Sequence, residues 1–224
     1  MATKPPAPIR ILVVDDHRTF AEALAMALET QPGFSVAAAE TGPRAVEVAA
    51  EFRPNVVLMD MQMPGMGGVE AIRRVREVDR EIRVVVVSAF DEEILQAQAI
   101  EAGAVGFLTK QTALADLPGL VRRVHAGEAL VDRQEYVRLL RVLRRRRHQE
   151  ATERQRANRL TPRQIEILQL MADGVDGKEI ARRLEMSPLT LRTHVQNILT
   201  RLAVHRKDEA LVVAIRHGKI SAGS

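Results

Sequence analysis

Five side chains in the first half of the chain have the types and spacing to handle a phosphoryl group: Asp15, Asp16, Asp60, Ser88 and Lys110. Each ends or follows a short apolar, β-branched run. Three carboxylates converging on one cleft repel one another, so a hard divalent cation is their natural compensation. Mg²⁺ suits such a set because it prefers oxygen ligands, needs few protein groups and keeps water and a phosphate in its shell. Asp60 lies deepest in this arrangement, and its carboxylate can attack phosphorus as a nucleophile. The metal and Lys110 would neutralise the phosphoryl oxygens, while the Ser88 hydroxyl donates a hydrogen bond to one of them. Taken singly, an aspartate at a strand end is a cap or turn residue, and a lysine after a strand is a solvated charge. Five such residues at the ends of the strands of one topology are hard to explain that way.

The elements that must position them alternate in type. Strands are expected at 9–14, 34–39, 55–59, 82–87 and 104–108, with helical periodicity near 18–30, 43–52, 67–78, 91–102 and 112–126. The runs from Ile11 to Val14, Val56 to Met59 and Val84 to Val87 are continuously apolar, as in parallel strands buried on both faces. A five-fold β-then-α alternation reads as an α/β doubly wound, five-stranded parallel sheet. Gln31-Pro32-Gly33 and Arg53-Pro54 are stops for the first two helices. Open α/β sheets bind ligands beyond the carboxyl ends of their strands, at the topological switch point. The five residues fall at those ends.

The second half carries a different signature. Thr161-Pro162-Arg163-Gln164 is a capping box with proline at the first helical position. Asp176-Gly177-Lys178-Glu179 repeats that logic, and Ser187-Pro188 opens a third helix running to about Ala203. A fourth spans roughly 207–217, giving a small all-α domain of four helices. On a wheel of about 100° per residue, Leu191, Val195, Ile198 and Leu202 of the third helix share one face. Arg192, Thr193, Gln196, Asn197 and Thr200 occupy the other. These are hydrogen-bonding but not acidic side chains, as a helix in the DNA major groove requires: Arg suits guanine and Gln suits adenine. An ordinary amphipathic surface helix would more often mix in Glu or Asp.

Composition agrees with a two-part chain. Up to Ala126 there are 13 Lys+Arg against 17 Asp+Glu, a net −4; the remainder has 20 against 12, a net +8. An acidic half joined to a basic half suggests that the second faces a polyanion such as DNA. Apolar residues make up 46% and charged residues 28% of the 224, which indicates a folded rather than a disordered chain. With no cysteine, disulfides, thiolate metal sites and cysteine nucleophiles are excluded, and a cytoplasmic location is expected. No run approaches the roughly 18 apolar residues of a membrane span. Met1 to Pro8 lack an apolar segment and read as a short flexible tail rather than a signal peptide. Between the halves, residues 136–143 can be helical. Arg144, Arg145, Arg146 and Arg147 follow, a run that repels itself in a helix unless a partner neutralises it. It reads as part of a solvated linker, with extra phosphate contacts or an inter-domain contact as the alternatives.

Residues 9–126 resemble a response-regulator receiver domain. The segments that carry the resemblance are Val13-Val14-Asp15-Asp16-His17, Leu58-Met59-Asp60-Met61-Gln62-Met63-Pro64-Gly65-Met66, Val87-Ser88-Ala89 and Gly103-Ala104-Val105-Gly106-Phe107-Leu108-Thr109-Lys110. The likeness implies that Asp60 is the phosphoacceptor and that Asp15 and Asp16 hold Mg²⁺, helped by the backbone carbonyl of Gln62. It also implies a switch in which Ser88 and Phe107 shift together, with the small Ala89 leaving room for the phosphoryl group. Gln111 stands where the family often has proline, so no cis peptide is expected there, and Phe107 lacks a hydroxyl, so it would switch by packing alone.

Residues 160–220 resemble the LuxR-type helix-turn-helix through Leu160-Thr161-Pro162-Arg163, Lys178-Glu179-Ile180-Ala181, Leu189-Thr190-Leu191-Arg192-Thr193-His194-Val195 and Asn197-Ile198-Leu199. Together the two halves look like a NarL/FixJ-class response regulator with a basic, partly helical linker at 127–159. The resemblance implies base contacts near Arg192, Thr193 and Gln196 and phosphate contacts from Lys178, Thr190, Asn197 and Arg201. It further implies a sensor histidine kinase as phosphodonor, promoter DNA as target, and dimerisation through the last helix. In the turn before the third helix, Glu185 stands where many members have Gly; if that turn needs φ > 0, Glu there costs about 1 kcal/mol. Two rivals remain. An aspartyl-phosphate hydrolase would place a second Asp two residues after the nucleophile, where this chain has Gln62, and would leave the second half unexplained. A regulator that ignores phosphorylation would not need the intact acidic set.

Overall fold

Successive β-branched runs and helical periods build one α/β layer structure and one small helical one. The computed structural model describes residues 7–89, 92–113 and 116–222. They divide into two units, Met1–Arg144 and Arg145–Ser224. In the first, β1 (Ile9–Val14), α1 (Arg18–Glu29), β2 (Phe34–Ala39), α2 (Gly42–Phe52), β3 (Val56–Met59), α3 (Gly68–Val78), β4 (Arg83–Ser88), α4 (Glu93–Ala102) and β5 (Ala104–Thr109) alternate as expected. They are followed by α5 (Lys110–Ala113), α6 (Leu117–His125) and the first part of α7 (Arg133–Ala157). All strand pairs are parallel, in the order β2-β1-β3-β4-β5.

Because side chains alternate along a strand, the sheet feeds two cores. Leu12, Val14, Val57, Met59, Val84 and Val86 pack on one face with Ala45, Ala71, Ile72, Val75 and Ala97 of α2, α3 and α4. Leu139 and Leu143 of α7 join that cluster. Ile11, Val13, Val56, Leu58, Val85 and Val87 pack on the other with Leu24 and Leu28 of α1 and Leu117, Val121 and Val124 of α6. The three central strands are therefore buried on both faces, which is why their sequences are apolar throughout.

Two helical expectations are refined. The stretch at 112–126 is divided, because Asp116 caps a fresh helix by accepting from the Gly119 N–H at 3.2 Å; residues 114 and 115 lie outside the described ones, as does residue 91 of the stretch at 91–102. The helix expected at 136–143 belongs to the longer α7, which runs on through the four arginines. Arginine is a good helix former, and Arg146 pairs one turn on with Glu150 at 2.7 Å, offsetting part of the like-charge repulsion.

The second unit holds the rest of α7, α8 (Pro162–Ala172), α9 (Gly177–Arg183), α10 (Pro188–Leu202) and α11 (Lys207–Arg216). Its core gathers Ala157, Leu160, Ile167, Leu168, Ile180, Leu191, Ile198, Leu202, Val213 and Ala214. The capping box of α8 is closed in both directions: Gln164 N–H donates to Thr161 Oγ1 at 3.3 Å and Thr161 N–H to Gln164 Oε1 at 3.0 Å. At α9 only half of the expected box forms. Asp176 Oδ1 accepts from the Lys178 and Glu179 N–H groups at 2.8 and 3.0 Å. The Glu179 carboxylate turns instead to Arg182 and Arg183, whose hydrogen bonds pull its pKa down to about 2. Two guanidinium partners on its own helix outcompete one backbone donor. Ser187 Oγ caps α10 by accepting from Thr190 N–H at 3.0 Å.

Candidate functional site

The register of the sheet sets the chemistry of the first unit. β1 stands between β2 and β3, the switch point, and Val14 is paired with Met59. Asp15 and Asp60 come next on each strand and therefore emerge side by side. The Asp60 N–H continues the ladder, donating to Val14 O at 2.8 Å. Met59 is level with Val86, so Ser88 ends β4 one step beyond Asp60. Ser88 in turn is level with Thr109, after which Lys110 begins α5. All five residues thus meet at one end of the sheet.

Lys110 Nζ reaches across this end to donate to Asp15 Oδ2 at 2.5 Å and to Asp60 Oδ2 at 3.4 Å. Asp15 and Asp60 are 2% and 3% exposed, whereas Asp16 is half-buried and opens to solvent. His17 joins them: its N–H donates to Asp15 Oδ1 at 2.8 Å and its Nδ1 lies 2.9 Å from Asp16 Oδ1. Ligand atoms of Asp15, Asp16, His17 and Asp60 all lie within 4.8 Å of one another. Burial pushes the Asp60 carboxyl above its ordinary pKa and the charge of Asp15 adds to the rise. Lys110 and the backbone N–H groups of Met61 and Gln62 pull the other way without prevailing. Met61 N–H donates to Asp60 Oδ1 at 2.8 Å. A compact, oxygen-rich set with excess negative charge has the chemistry of a hard-cation site.

Ser88 is buried at the end of β4. Phe107 is level with Val86, so it shares a sheet face with Val86 and Ser88, half-buried against the core that contains Met59 and Val86. Gln62, two residues beyond Asp60, has an exposed side chain.

In the second unit, α10 separates its faces as its periodicity requires. Leu191, Ile198 and Leu202 are buried; Arg192, Thr193, Gln196, Asn197, Thr200 and Arg201 are exposed. Arg192 and Gln196 line a groove with Lys178 of α9 and Lys207 of α11. Thr190 shares a 2.8 Å hydrogen bond with Ser187 at the helix start, and Thr193 Oγ1 donates back to Leu189 O at 3.1 Å. Arg201 also serves the fold: its Nη1 donates to Arg159 O at 2.7 Å and to Gln164 Oε1 at 3.0 Å. Glu185 has φ +50°, the left-handed conformation anticipated for that turn.

Comparison with known proteins decides the family. Residues 11–122 match the response regulator receiver domain and residues 158–214 the bacterial regulatory proteins of the luxR family. The chain belongs to the two-component response regulators. The transcriptional regulatory protein DegU of Brevibacillus brevis is 34% identical, with 94% of each chain covered. The response regulator GacA of Pseudomonas aeruginosa is 32% identical over 96% of this chain and 100% of its own. Among solved structures, the receiver domain of the putative response regulator NarL from Mycobacterium tuberculosis is 34% identical with a TM-score of 0.52; it covers 55% of this chain and all of its own. This response regulator is thus a DNA-binding transcriptional regulator of a two-component system, and its relatives are regulators rather than enzymes. The aspartyl-phosphate hydrolase reading falls with that finding. No described helix is long and apolar enough to cross a membrane.

Four further residues take part in these sites without a sequence motif of their own. For His17, the sequence signal is its place directly after two aspartates. Phe20 sits in the first turn of α1, where its ring centroid lies 4.7 Å from Lys110 Nζ, a cation–π contact that helps aim the ammonium. Gly68 begins α3 so close to β3 that a Cβ there would lie 2.5 Å from Asp60 O and 2.7 Å from Met61 Cα; the cluster Gly65, Gly67 and Gly68 hinted at such an approach. Lys207, a lone lysine at the start of α11, gave no signal of its place in the groove.

Proposed function

We propose that Asp60 accepts a phosphoryl group from a sensor histidine kinase and that the modification controls promoter binding through α10. The observation that carries this reading is Lys110 bridging Asp15 and Asp60 at the switch point, with Asp60 buried and backed by the Met61 N–H. In the transfer, an Asp60 carboxylate oxygen bonds to phosphorus as the phosphorus–nitrogen bond to the kinase histidine breaks, and the released imidazole keeps the electron pair. Asp15, Asp16 and Asp60, with the Gln62 carbonyl, would hold Mg²⁺, which when bound supplies positive charge against the phosphoryl oxygens. Lys110 loses one carboxylate partner as Asp60 becomes an acyl phosphate and turns its ammonium to the new phosphoryl oxygens. Ser88 lies one step beyond Asp60 and donates its hydroxyl to one of them. Phe107, on the same sheet face, follows Ser88 inward, and the receiver shifts between two pre-existing populations.

The receiver spans 9–126, the basic and partly helical linker 127–159 and the DNA-binding domain 160–220. In that domain Arg192, Thr193 and Gln196 read base edges from the major groove. Lys178, Thr190, Asn197 and Arg201 contact phosphates, joined by Lys207, which shares a groove with Lys178, Arg192 and Gln196. The active form is a homodimer: Val212 and Ile215 of α11 are 52% and 38% exposed, an apolar strip suited to a second copy. Target sites then carry two half-sites. A cytoplasmic location follows from these partners.

The test is phosphorylation by acetyl phosphate with Mg²⁺, read by intact mass. Wild type should gain one phosphoryl group and Asp60→Asn none. Equal incorporation by both would sink the assignment of Asp60 while leaving the DNA reading intact.

A further inference from the structure

The arginine run in α7 remains without a role in this scheme. From Arg144 to Ala151 every residue is exposed, so more than two turns of helix have no buried side. The charges there are unevenly spread. At about 100° per residue, Arg141, Arg144, Arg145 and His148 fall within roughly one third of the circumference, at the i, i+3, i+4, i+7 positions of a single face. That face points away from Leu139 and Leu143, which enter the core of the first unit. The acidic residue Glu150 lies off the stripe and is taken by Arg146 at 2.7 Å. Among the described residues, Arg141, Arg144 and Arg145 form no ion pair.

We propose that this stripe is a second, sequence-independent contact to the phosphate backbone of duplex DNA. It rests on the reading of α10 as the DNA-binding helix. Two observations favour DNA over solvent. The stripe extends about 10 Å along the axis at 1.5 Å per residue, which matches about three phosphates of one strand at 3.4 Å rise. The same helix continues to Ala157, which is packed into the core that holds α10, and the stripe's Arg145 and His148 lie in the same unit as α10. A helix with no apolar side and like charges one turn apart is weakened by its own repulsion. Phosphates neutralise that repulsion and release condensed counterions as they do so.

The experiment measures the full-length protein on a fluorescein-labelled duplex of arbitrary sequence, by anisotropy, across NaCl concentrations of about 0.05–0.2 M. The variants are Arg141→Gln/Arg144→Gln/Arg145→Gln and the corresponding triple lysine variant; both residue types keep high helix propensity. For the glutamine variant, the slope of log K against log [NaCl] should become shallower by about 2.7 per protomer, at about 0.9 per lost phosphate contact. The lysine variant should keep the wild-type slope. Preference for a selected binding site over the arbitrary duplex should be unchanged in both, whereas Arg192→Ala reduces it. A glutamine variant with the wild-type slope overturns the proposal and marks the run as a solvated linker. An equal loss in the lysine variant also overturns it, because charge would then not be the cause. A wild-type protein that binds no duplex would instead overturn the DNA reading itself.

Discussion

Replacing Asp60 with asparagine should make the unphosphorylated, metal-free receiver more stable, although it removes a buried ion pair. Lys110 lies 3.4 Å from Asp60, and a ligand oxygen of Asp15 lies within 4.8 Å. At an effective dielectric near 20 each interaction is of the order of 4 kcal/mol, with opposite sign, and the two nearly cancel. Burial of the carboxylate remains, a penalty of several kcal/mol after relaxation. Against it stand backbone hydrogen bonds to the charged form, about 1.5–3 kcal/mol each, which an asparagine oxygen retains in weaker form. The balance favours Asn by about 1–2 kcal/mol at neutral pH.

The pH dependence fixes the sign. The folded Asp60 pKa is raised above its ordinary 3.8, so the fold binds that proton more tightly than the unfolded chain does. The resulting stability is fully present below about pH 3.8 and is lost as pH rises through the raised folded value. The penalty grows as pH rises through the raised folded value, and near pH 4 the difference from Asp60→Asn should close. Because the chain has two units, the readout should be local: amide exchange of β1 and β3 in EDTA, with urea unfolding alongside. Mg²⁺ at 100 times its Kd should add about 2.7 kcal/mol to the wild type and less to the variant. If Asp60→Asn is the less stable protein at pH 7, or the gap is the same at pH 7 and pH 4, the electrostatic reasoning is refuted.

Gly68→Ala should displace the segment that carries Asp60, since its methyl would meet the Asp60 carbonyl at 2.5 Å; a loss of about 1–3 kcal/mol and slower acetyl-phosphate labelling are expected, and normal labelling would show that the loop yields. Glu185→Gly relieves a left-handed backbone at φ +50°, worth about 1–2 kcal/mol, but frees the unfolded chain by about 0.4–1 kcal/mol. Urea unfolding of the second unit should therefore show a net gain of about 0.5 kcal/mol. Arg192→Ala and Gln196→Ala should each cost about 1–3 kcal/mol of discrimination between base pairs, seen as blurred footprints, and unchanged footprints would mean that another helix reads the site.

What could be read from the sequence, and what could not, divides along physical lines. The buried strands announced themselves because burial on both faces leaves only apolar residues, and Asp15, Asp60 and Ser88 were legible as the polar residues that interrupt such runs. Thr161, Asp176 and Ser187 marked helix starts because capping is a local interaction between neighbours in the chain. Glu179 shows the limit of local rules: a capping-box glutamate has the right spacing, yet two arginines one turn on compete for it and win. Gly68 and Phe20 act through contacts with residues from other elements, so their roles depend on a packing that no window of sequence contains. Arg201 combines both problems. On a wheel it is one more exposed cation of α10, but in the fold it also holds the end of α7 and the start of α8 through Arg159 O and Gln164 Oε1. A phosphate contact at that position must share the guanidinium with two internal acceptors. Substituting Arg201 should consequently cost stability as well as DNA affinity, whereas substituting the exposed Lys178 should cost affinity alone.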